Sequence, residues 1–201
     1  MNKAEKLRVA KATVKLPGKG QGVLVPGNFI LTVTHCIDVT YTGGAVLGDH
    51  LLEKAQAGRV NLLLRVCAAE PCCDIAVLEE PDNQVFFDES DIFDEFCEKT
   101  EPVPVCMAKL KAGEQYEVHI YTHKHEWMQG TGQVFGRAPR RMLHTVFPKS
   151  VESGTSGSPI VNQDGELVAL LSNGGIESRN PLVSQALPVW VVETIRAEQE
   201  I

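Results

Sequence analysis

Apolar residues recur along this chain in short runs, few of them longer than a strand. Runs at roughly 7–15, 22–25, 29–34, 60–67, 74–78, 116–122, 132–136, 142–147, 159–162, 167–172 and 182–187 alternate with polar positions or are apolar throughout. That spacing predicts strands. Turn signals separate many of them: Pro17-Gly18, Pro26-Gly27-Asn28, Gly43-Gly44, Ala112-Gly113, Asp164-Gly165 and Asn173-Gly174-Gly175. Pro26-Gly27-Asn28 between GVLV and FILTVT predicts a tight hairpin. Many short strands at close spacing predict a sandwich or barrel. Helical spacing is clearest at the end, where Pro188 can open a helix and Val189, Val192 and Ile195 form an apolar stripe. In the stretch 79–101, Phe86, Phe87, Ile92, Phe93 and Phe96 interleave with carboxylates, and an amphipathic helix and a long loop both fit. No repeat or linker stands out. The pattern predicts one domain over 1–201, with a barrel-like half at about 1–101, a second at about 113–187, a junction near 102–113 and a helix at about 188–199.

Composition changes the picture in three ways. At 201 residues and 43% hydrophobic, the chain has material for a packed core and does not read as disordered. The net charge of −7 is concentrated: residues 79–101 hold ten acids and one base, while the remainder is near neutral. No broad basic face is predicted, and nucleic acid is not an expected partner. Lys3, Lys6, Arg8, Lys11, Lys15 and Lys19 make the beginning modestly basic, either as a solvated strand face or as a counterpart of the acidic stretch. That stretch itself reads as a solvated segment, a lid over a cleft or a docking site for an activator.

No apolar stretch of signal-peptide length opens the chain, and no run approaches the ~18 apolar residues of a membrane span. The expectation is a cytoplasmic protein with no membrane partner. The six cysteines, at 36, 67, 72, 73, 97 and 106, then read as reduced thiols. Cys72 and Cys73 are adjacent, so on a strand they would face opposite ways. His119, His123 and His125 lie close together, with His144 later. His-x-His on a strand shares one face and is compatible with a metal; no Cys or acid pattern completes a closed site, so neither metal nor cofactor is expected.

Three short motifs carry candidate chemistry. Thr32-Val33-Thr34-His35-Cys36 ends an apolar strand, Cys73-Asp74-Ile75-Ala76-Val77-Leu78 puts an acid at the head of another, and Gly154-Thr155-Ser156-Gly157-Ser158-Pro159 is a small-residue turn before Ile160-Val161. A serine hydroxyl is a poor nucleophile at neutral pH and needs a base within about 2.6–3.2 Å. Imidazole, with an unperturbed pKa of about 6.5, suits the task. A carboxylate that accepts a bond from the other ring nitrogen fixes the tautomer. The attacked carbonyl becomes an oxyanion, which needs preorganised N–H donors, and glycines around the serine let the backbone aim them. His35, Asp74 and Ser156 supply these types in one order, each at a strand edge.

The chain resembles the trypsin-like serine peptidases, and among them the HtrA-like and bacterial glutamyl-type members more than the digestive enzymes. GQGVLVPGNFILTVTHC is similar to the family's opening hairpin and His motif, DIAVL to its Asp motif, SGTSGSPIVNQDGELVALLSN to its Ser loop and following hairpin, and LVSQALPVWVVETI to the last strand and C-terminal helix. The resemblance implies an all-β fold of two six-stranded antiparallel β-barrels of the chymotrypsin-like kind, a C-terminal helix and a site in the cleft between the barrels. It implies catalytic roles for His35, Asp74 and Ser156, with the N–H groups of Gly154 and Ser156 as the oxyanion hole. Ser172, Asn173 and Gly174 resemble the segment that pairs with the substrate backbone. Ser150, six residues before Ser156, falls where the floor of the primary specificity pocket is expected.

Departures from the family pattern sharpen the expectation. Thr155 stands where digestive members carry an acid that pairs with a newly cut N-terminus, so activation by that insertion is not expected. No Cys precedes His35, so the family's usual loop disulfide lacks its other half. Ser150 is not an acid, which argues against Arg or Lys preference. His144 and Thr145 lie where a His helps glutamate-specific members bind the substrate carboxylate; a surface or core His is the plainer alternative. The expected function is a serine endopeptidase acting on protein or peptide through an acyl-enzyme, with restricted specificity and control by a regulatory protein partner. The competing function is a non-catalytic protein-binding module on the same fold. An esterase with a G-x-S-x-G elbow is disfavoured, because the glycines around Ser156 are misplaced for it.

Overall fold

The computed structural model describes residues 1–18, 20–37, 52–136 and 141–201. The Gly43-Gly44 turn and Lys19 lie outside the described residues. The chain begins with a helix, α1 (Lys3–Ala12), so of the strand expected over 7–15 only residues 13–15 are in one. Asn2 and Glu5 form a reciprocal capping box, which satisfies N-terminal donors and favours helix over strand for the residues that follow. The basic residues 3–11 are therefore helical, and one of them meets the acidic stretch: Arg8 Nη1 lies 3.2 Å from Glu101 Oε1.

Six strands follow: β1 (Thr13–Leu16), β2 (Gly20–Val25), β3 (Phe29–Thr32), β4 (Leu52–Ala57), β5 (Val60–Glu70) and β6 (Ile75–Glu79). They close a barrel in the order β1-β2-β3-β6-β5-β4. The β2–β3 turn is the one expected at 26–28, with Gly27 and Asn28 at φ +84° and +58°. β2 and β3 are buried at every position, because one face fills the barrel and the other meets the rest of the molecule. The acidic stretch forms α2 (Phe87–Lys99), which buries Ser90, Phe93 and Phe96 and turns its carboxylates to solvent.

The second half contains β7 (Gln115–Tyr121), β8 (Trp127–Phe135), β9 (Met142–Val146), β10 (Pro159–Val161), β11 (Leu167–Leu170) and β12 (Glu177–Pro181). They form one antiparallel sheet in the order β11-β10-β7-β8-β9-β12. Among the described residues an isolated antiparallel bridge joins Ala169 of one edge to Leu182 just beyond the other, so, beside the closed first barrel, the expected second one is a half-barrel, an open sheet. Its interior holds Val118, Ile120, Val134, Leu143, Phe147, Ile160, Val168 and Leu171. The run 182–187 is not a strand; it contains the short helix α3 (Val183–Ala186). Beyond it α4 (Val189–Gln199) buries Val191 and Ile195. Gln199 exchanges two hydrogen bonds with the backbone of Val105, which pins α4 to the segment between the halves.

Candidate functional site

The candidate residues sit where the two halves face each other, and each is placed by backbone outside the regular ladders. His35 occupies a short 3-10 turn, 34–36, immediately after β3. Asp74 ends a turn in which its N–H reaches the Pro71 carbonyl at 3.3 Å, and it adopts φ +55°. That left-handed conformation is one Asp tolerates better than most residues. Thr34 Oγ1 donates to the Ile75 carbonyl at 2.9 Å and so ties the His turn to the Asp turn. Asp74 Oδ1 accepts the His35 N–H at 3.1 Å, and Oδ2 lies 2.8 Å from His35 Nδ1. The carboxylate therefore grips both the backbone and the ring of one residue, which selects the tautomer with its proton on Nδ1 and leaves Nε2 with a free lone pair. The His35 side chain is 47% exposed, open to a reactant in the cleft.

A third bond comes from the second half: Ser172 Oγ donates to Asp74 Oδ2 at 2.5 Å. Ser172 is itself held by Asn180, whose Oδ1 accepts the Ser172 N–H at 3.0 Å and whose Nδ2 donates to Thr145 Oγ1 at 2.8 Å. Asn180 and Thr145 are fully buried. This chain of bonds carries the position of Asp74 across the interface to β12 and β9. The sequence had marked Ser172 for its backbone; its hydroxyl bond to Asp74 and the support from Asn180 had no local signal.

Ser156 reaches the His turn through close backbone approach. The Gln21 N–H donates to the Ser156 carbonyl at 2.7 Å. A Cβ on Gly20 would overlap that carbonyl oxygen and stand 2.5 Å from Cys36 Sγ, so glycine is what lets the two loops share this space. Gln21 is 1% exposed and clamps further: its Oε1 accepts from Ser158 Oγ at 2.5 Å and its carbonyl from Thr32 Oγ1 at 2.6 Å. Gly20-Gln21-Gly22 in a strand was the signal available in the sequence, a polar residue between two positions without side chains. No hydrogen bond joins Ser156 Oγ to His35 among the described residues.

The turn before Ser156 has a defined type. The Thr155 N–H reaches the Glu152 carbonyl at 3.3 Å, and Gly154, in third position, has φ +89°. Positive φ at that position alone marks a type II turn. The turn fixes the Ser153–Gly154 peptide. The N–H groups of Gly154 and Ser156 donate to no protein acceptor among the described residues.

Residues 172–174 lie outside any ladder, and Asn173 and Gly174 are exposed. Ser150 is exposed, and its neighbour Val151 packs beside this edge, with its carbonyl 3.1 Å from a Cβ position on Gly174. His144 does not join them. Alternation along β9 turns Thr145 inward and His144 outward, where it lies 3.7 Å from Glu177 and edge-on to Phe135. The other histidines also diverge. His123 and His125 lie in the turn after β7 and not on a strand. His123 Nδ1 is 2.7 Å from Thr155 Oγ1, His125 Nδ1 is 2.8 Å from the Tyr121 hydroxyl, and His119 Nε2 is 3.0 Å from Glu117. Cys72 and Cys73 sit in the Pro71–Asp74 turn. Burial pushes the Cys67 thiol up to about 12, with Glu79 adding to it, and burial likewise pushes Cys97 up to about 12.

Two antiparallel barrel halves that present a His–Asp pair on one side and a glycine-flanked Ser on the other define the chymotrypsin-like class of serine hydrolases. The profile of the trypsin family matches residues 4–192, and the chain belongs to that family: it is a serine endopeptidase. No curated protein matches it significantly by sequence. Among solved structures it is similar to the Rv3671c protease of M. tuberculosis in its active form (14% identity, TM-score 0.56, 96% of this chain and 83% of that one). It is also similar to a serine endoprotease from Yersinia pestis (16%, 0.57, 98% and 67%) and to a human pathogenic astrovirus serine protease (18%, 0.50, 89% and 94%). At these identities the likeness is one of fold. No helix among the described residues is long and apolar enough to cross a membrane.

Proposed function

We propose that the chain hydrolyses peptide bonds with Ser156 as nucleophile, His35 as general base and Asp74 as the group that orients it. The observation that carries this is the Asp74 carboxylate, which takes bonds from the His35 N–H, the His35 ring and the Ser172 hydroxyl. In this reading His35 Nε2 removes the Ser156 proton as Oγ attacks the scissile carbonyl. The oxyanion is received by the N–H groups of Gly154 and Ser156. The imidazolium then returns its proton to the leaving amine, and water repeats the sequence on the acyl-enzyme. The exposed edge at 172–174 pairs with the substrate backbone.

Finer features belong to the same proposal. The chain resembles HtrA-like and bacterial glutamyl-type members more than digestive ones, and Thr155, in place of an acid, argues against activation by an inserted N-terminus. Specificity is restricted, and Ser150, not being an acid, argues against Arg or Lys preference. Activity is under a protein partner, and the compartment is cytoplasmic, in keeping with the buried thiols Cys67, Cys97 and Cys106. The test is reaction with a serine-directed fluorophosphonate, followed by mapping of the adduct. Modification at Ser156, lost in Ser156→Ala with the fold retained, is expected. An adduct elsewhere, or none on a wild type that binds peptide substrate, would leave the binding-module alternative standing.

A further inference from the structure

We propose that His123 is a positioning residue for the turn that carries the oxyanion donors. It acts from the β7–β8 hairpin by holding Thr155, and this rests on the assignment of Ser156 as nucleophile. The hairpin tip at 122–126 is internally tied. The Thr122 N–H donates to the Glu126 carbonyl at 2.9 Å, the Glu126 N–H to Thr122 Oγ1 at 3.3 Å, and the His125 N–H to the Thr122 carbonyl at 2.9 Å. His125, in left-handed backbone at φ +64°, anchors the tip further through the Tyr121 hydroxyl. From this base two side chains reach the 152–155 turn. His123 Nδ1 meets Thr155 Oγ1 at 2.7 Å, and Lys124 Nζ meets the Glu152 carboxylate at 2.7 Å.

Those two contacts hold the first and last residues of the turn whose middle peptide aims the Gly154 N–H. The His123 ring also lies over Gly154, with Cγ and Cδ2 3.7 Å from the position of a Cβ there. Glycine accepts φ of either sign, so a type II turn at 152–155 converts to type I by rotating one peptide. That rotation would swing the Gly154 N–H away from the point that the Ser156 N–H serves. The two contacts are unequal. Lys124 and Glu152 are both more than half exposed, so their pair is worth little. Thr155 is 1% exposed, and without His123 its hydroxyl has no other partner among the described residues. Leaving a buried hydroxyl unpaired is costly, so the His123 bond dominates. The family's inserted N-terminus is one way to hold this loop; here a hairpin side chain does so without cleavage of the chain.

The experiment is steady-state hydrolysis of a peptide substrate together with the rate of fluorophosphonate labelling. His123→Ala is expected to lower kcat about 10–100-fold, toward the loss seen when an oxyanion donor is removed, with KM within about threefold. Thr155→Val should lose a similar factor, and the double variant should lose little more than either alone, because both break one bond. His123→Asn, whose amide can stand in for Nδ1, and Thr155→Ser should recover most of the rate. Lys124→Ala should stay within about twofold. A wild type that hydrolyses substrate and labels at Ser156, alongside His123→Ala and Thr155→Val with unchanged kcat, overturns the positioning role and leaves the nucleophile assignment intact. Additive losses, or no rescue by His123→Asn, also overturn it. A wild type that neither hydrolyses nor labels overturns both.

Discussion

Gly157→Ala separates two reasons for a glycine beside Ser156. Gly157 has φ +79°, and a Cβ there would overlap the Gln21 carbonyl oxygen and stand 2.7 Å from Thr32 Oγ1. Its N–H also donates to the Leu171 carbonyl at 2.7 Å, so the residue is held on both sides of the interface. Left-handed backbone costs an L-residue about 1–2 kcal/mol. The overlap adds a second term, because Gln21 is backbone of β2 and cannot rotate aside; overpacking of this kind costs about 1–3 kcal/mol. The sum, about 2–5 kcal/mol, corresponds to a Tm lower by about 5–20 °C for a domain of this size. Separation of the Ser156 loop from β2 by about 1 Å should also cost about 100-fold in kcat/KM. Gly113→Ala is the control. Its φ is +87°, yet a Cβ there meets nothing within 4 Å. It should pay the backbone term alone, about 1–2 kcal/mol, with hydrolysis unchanged. Thermal melts and substrate hydrolysis on both variants make the comparison. If Gly157→Ala melts and works like Gly113→Ala, close approach between the halves is not what keeps the glycine.

Ser172→Ala removes one donor from the Asp74 carboxylate; a bond to a charged group is worth about 1.5–3 kcal/mol, so kcat/KM should fall about 10–100-fold, and an unchanged value would mean Ser172 does not orient Asp74. Iodoacetamide at about pH 8, with peptide mapping, should modify exposed Cys72 first and spare Cys67 and Cys97, whose thiols stay protonated; comparable rates at all three would contradict their burial. Burial lowers the His119 pKa, with Glu117 opposing, so the folded state resists a proton that the unfolded chain accepts. The stability this represents is present above the unfolded value of about 6.5 and is lost as pH falls through the folded one. His119→Gln should therefore flatten the decline of Tm below about pH 6.5, and an identical decline would refute the assignment.

Local pattern determined a good deal of this protein. The all-β character, the hairpin at 26–28, the helix after Pro188 and the three motifs around His35, Asp74 and Ser156 all follow from spacing, turn chemistry and residue type within a few positions. The same locality explains the errors. Residues 7–15 alternate as a strand does, but the capping box at Asn2 and Glu5 lies upstream of that window and favours a helix that takes residues 7–12 of it. β4 was missed because LEKAQA buries only Glu53, Ala55 and Ala57 of its six residues, and its strand character depends on pairing with β5. β12 was missed because its inward residues Ser178 and Asn180 are polar and become buried only when the second half forms.

What tertiary structure alone decided is how the motifs are joined. Asp74 meets a serine 98 positions away, Ser158 meets Gln21 137 positions away, and His123 meets Thr155 across 32. Each is a bond of one or two polar atoms, with no periodicity to betray it in the chain. Such pairs exist because two halves, each folded by its own apolar pattern, are pressed together at Gly20 and Gly157, where the missing side chains let backbone meet backbone. Sequence could therefore name the candidate residues; the packing of the halves decided their geometry and their supports.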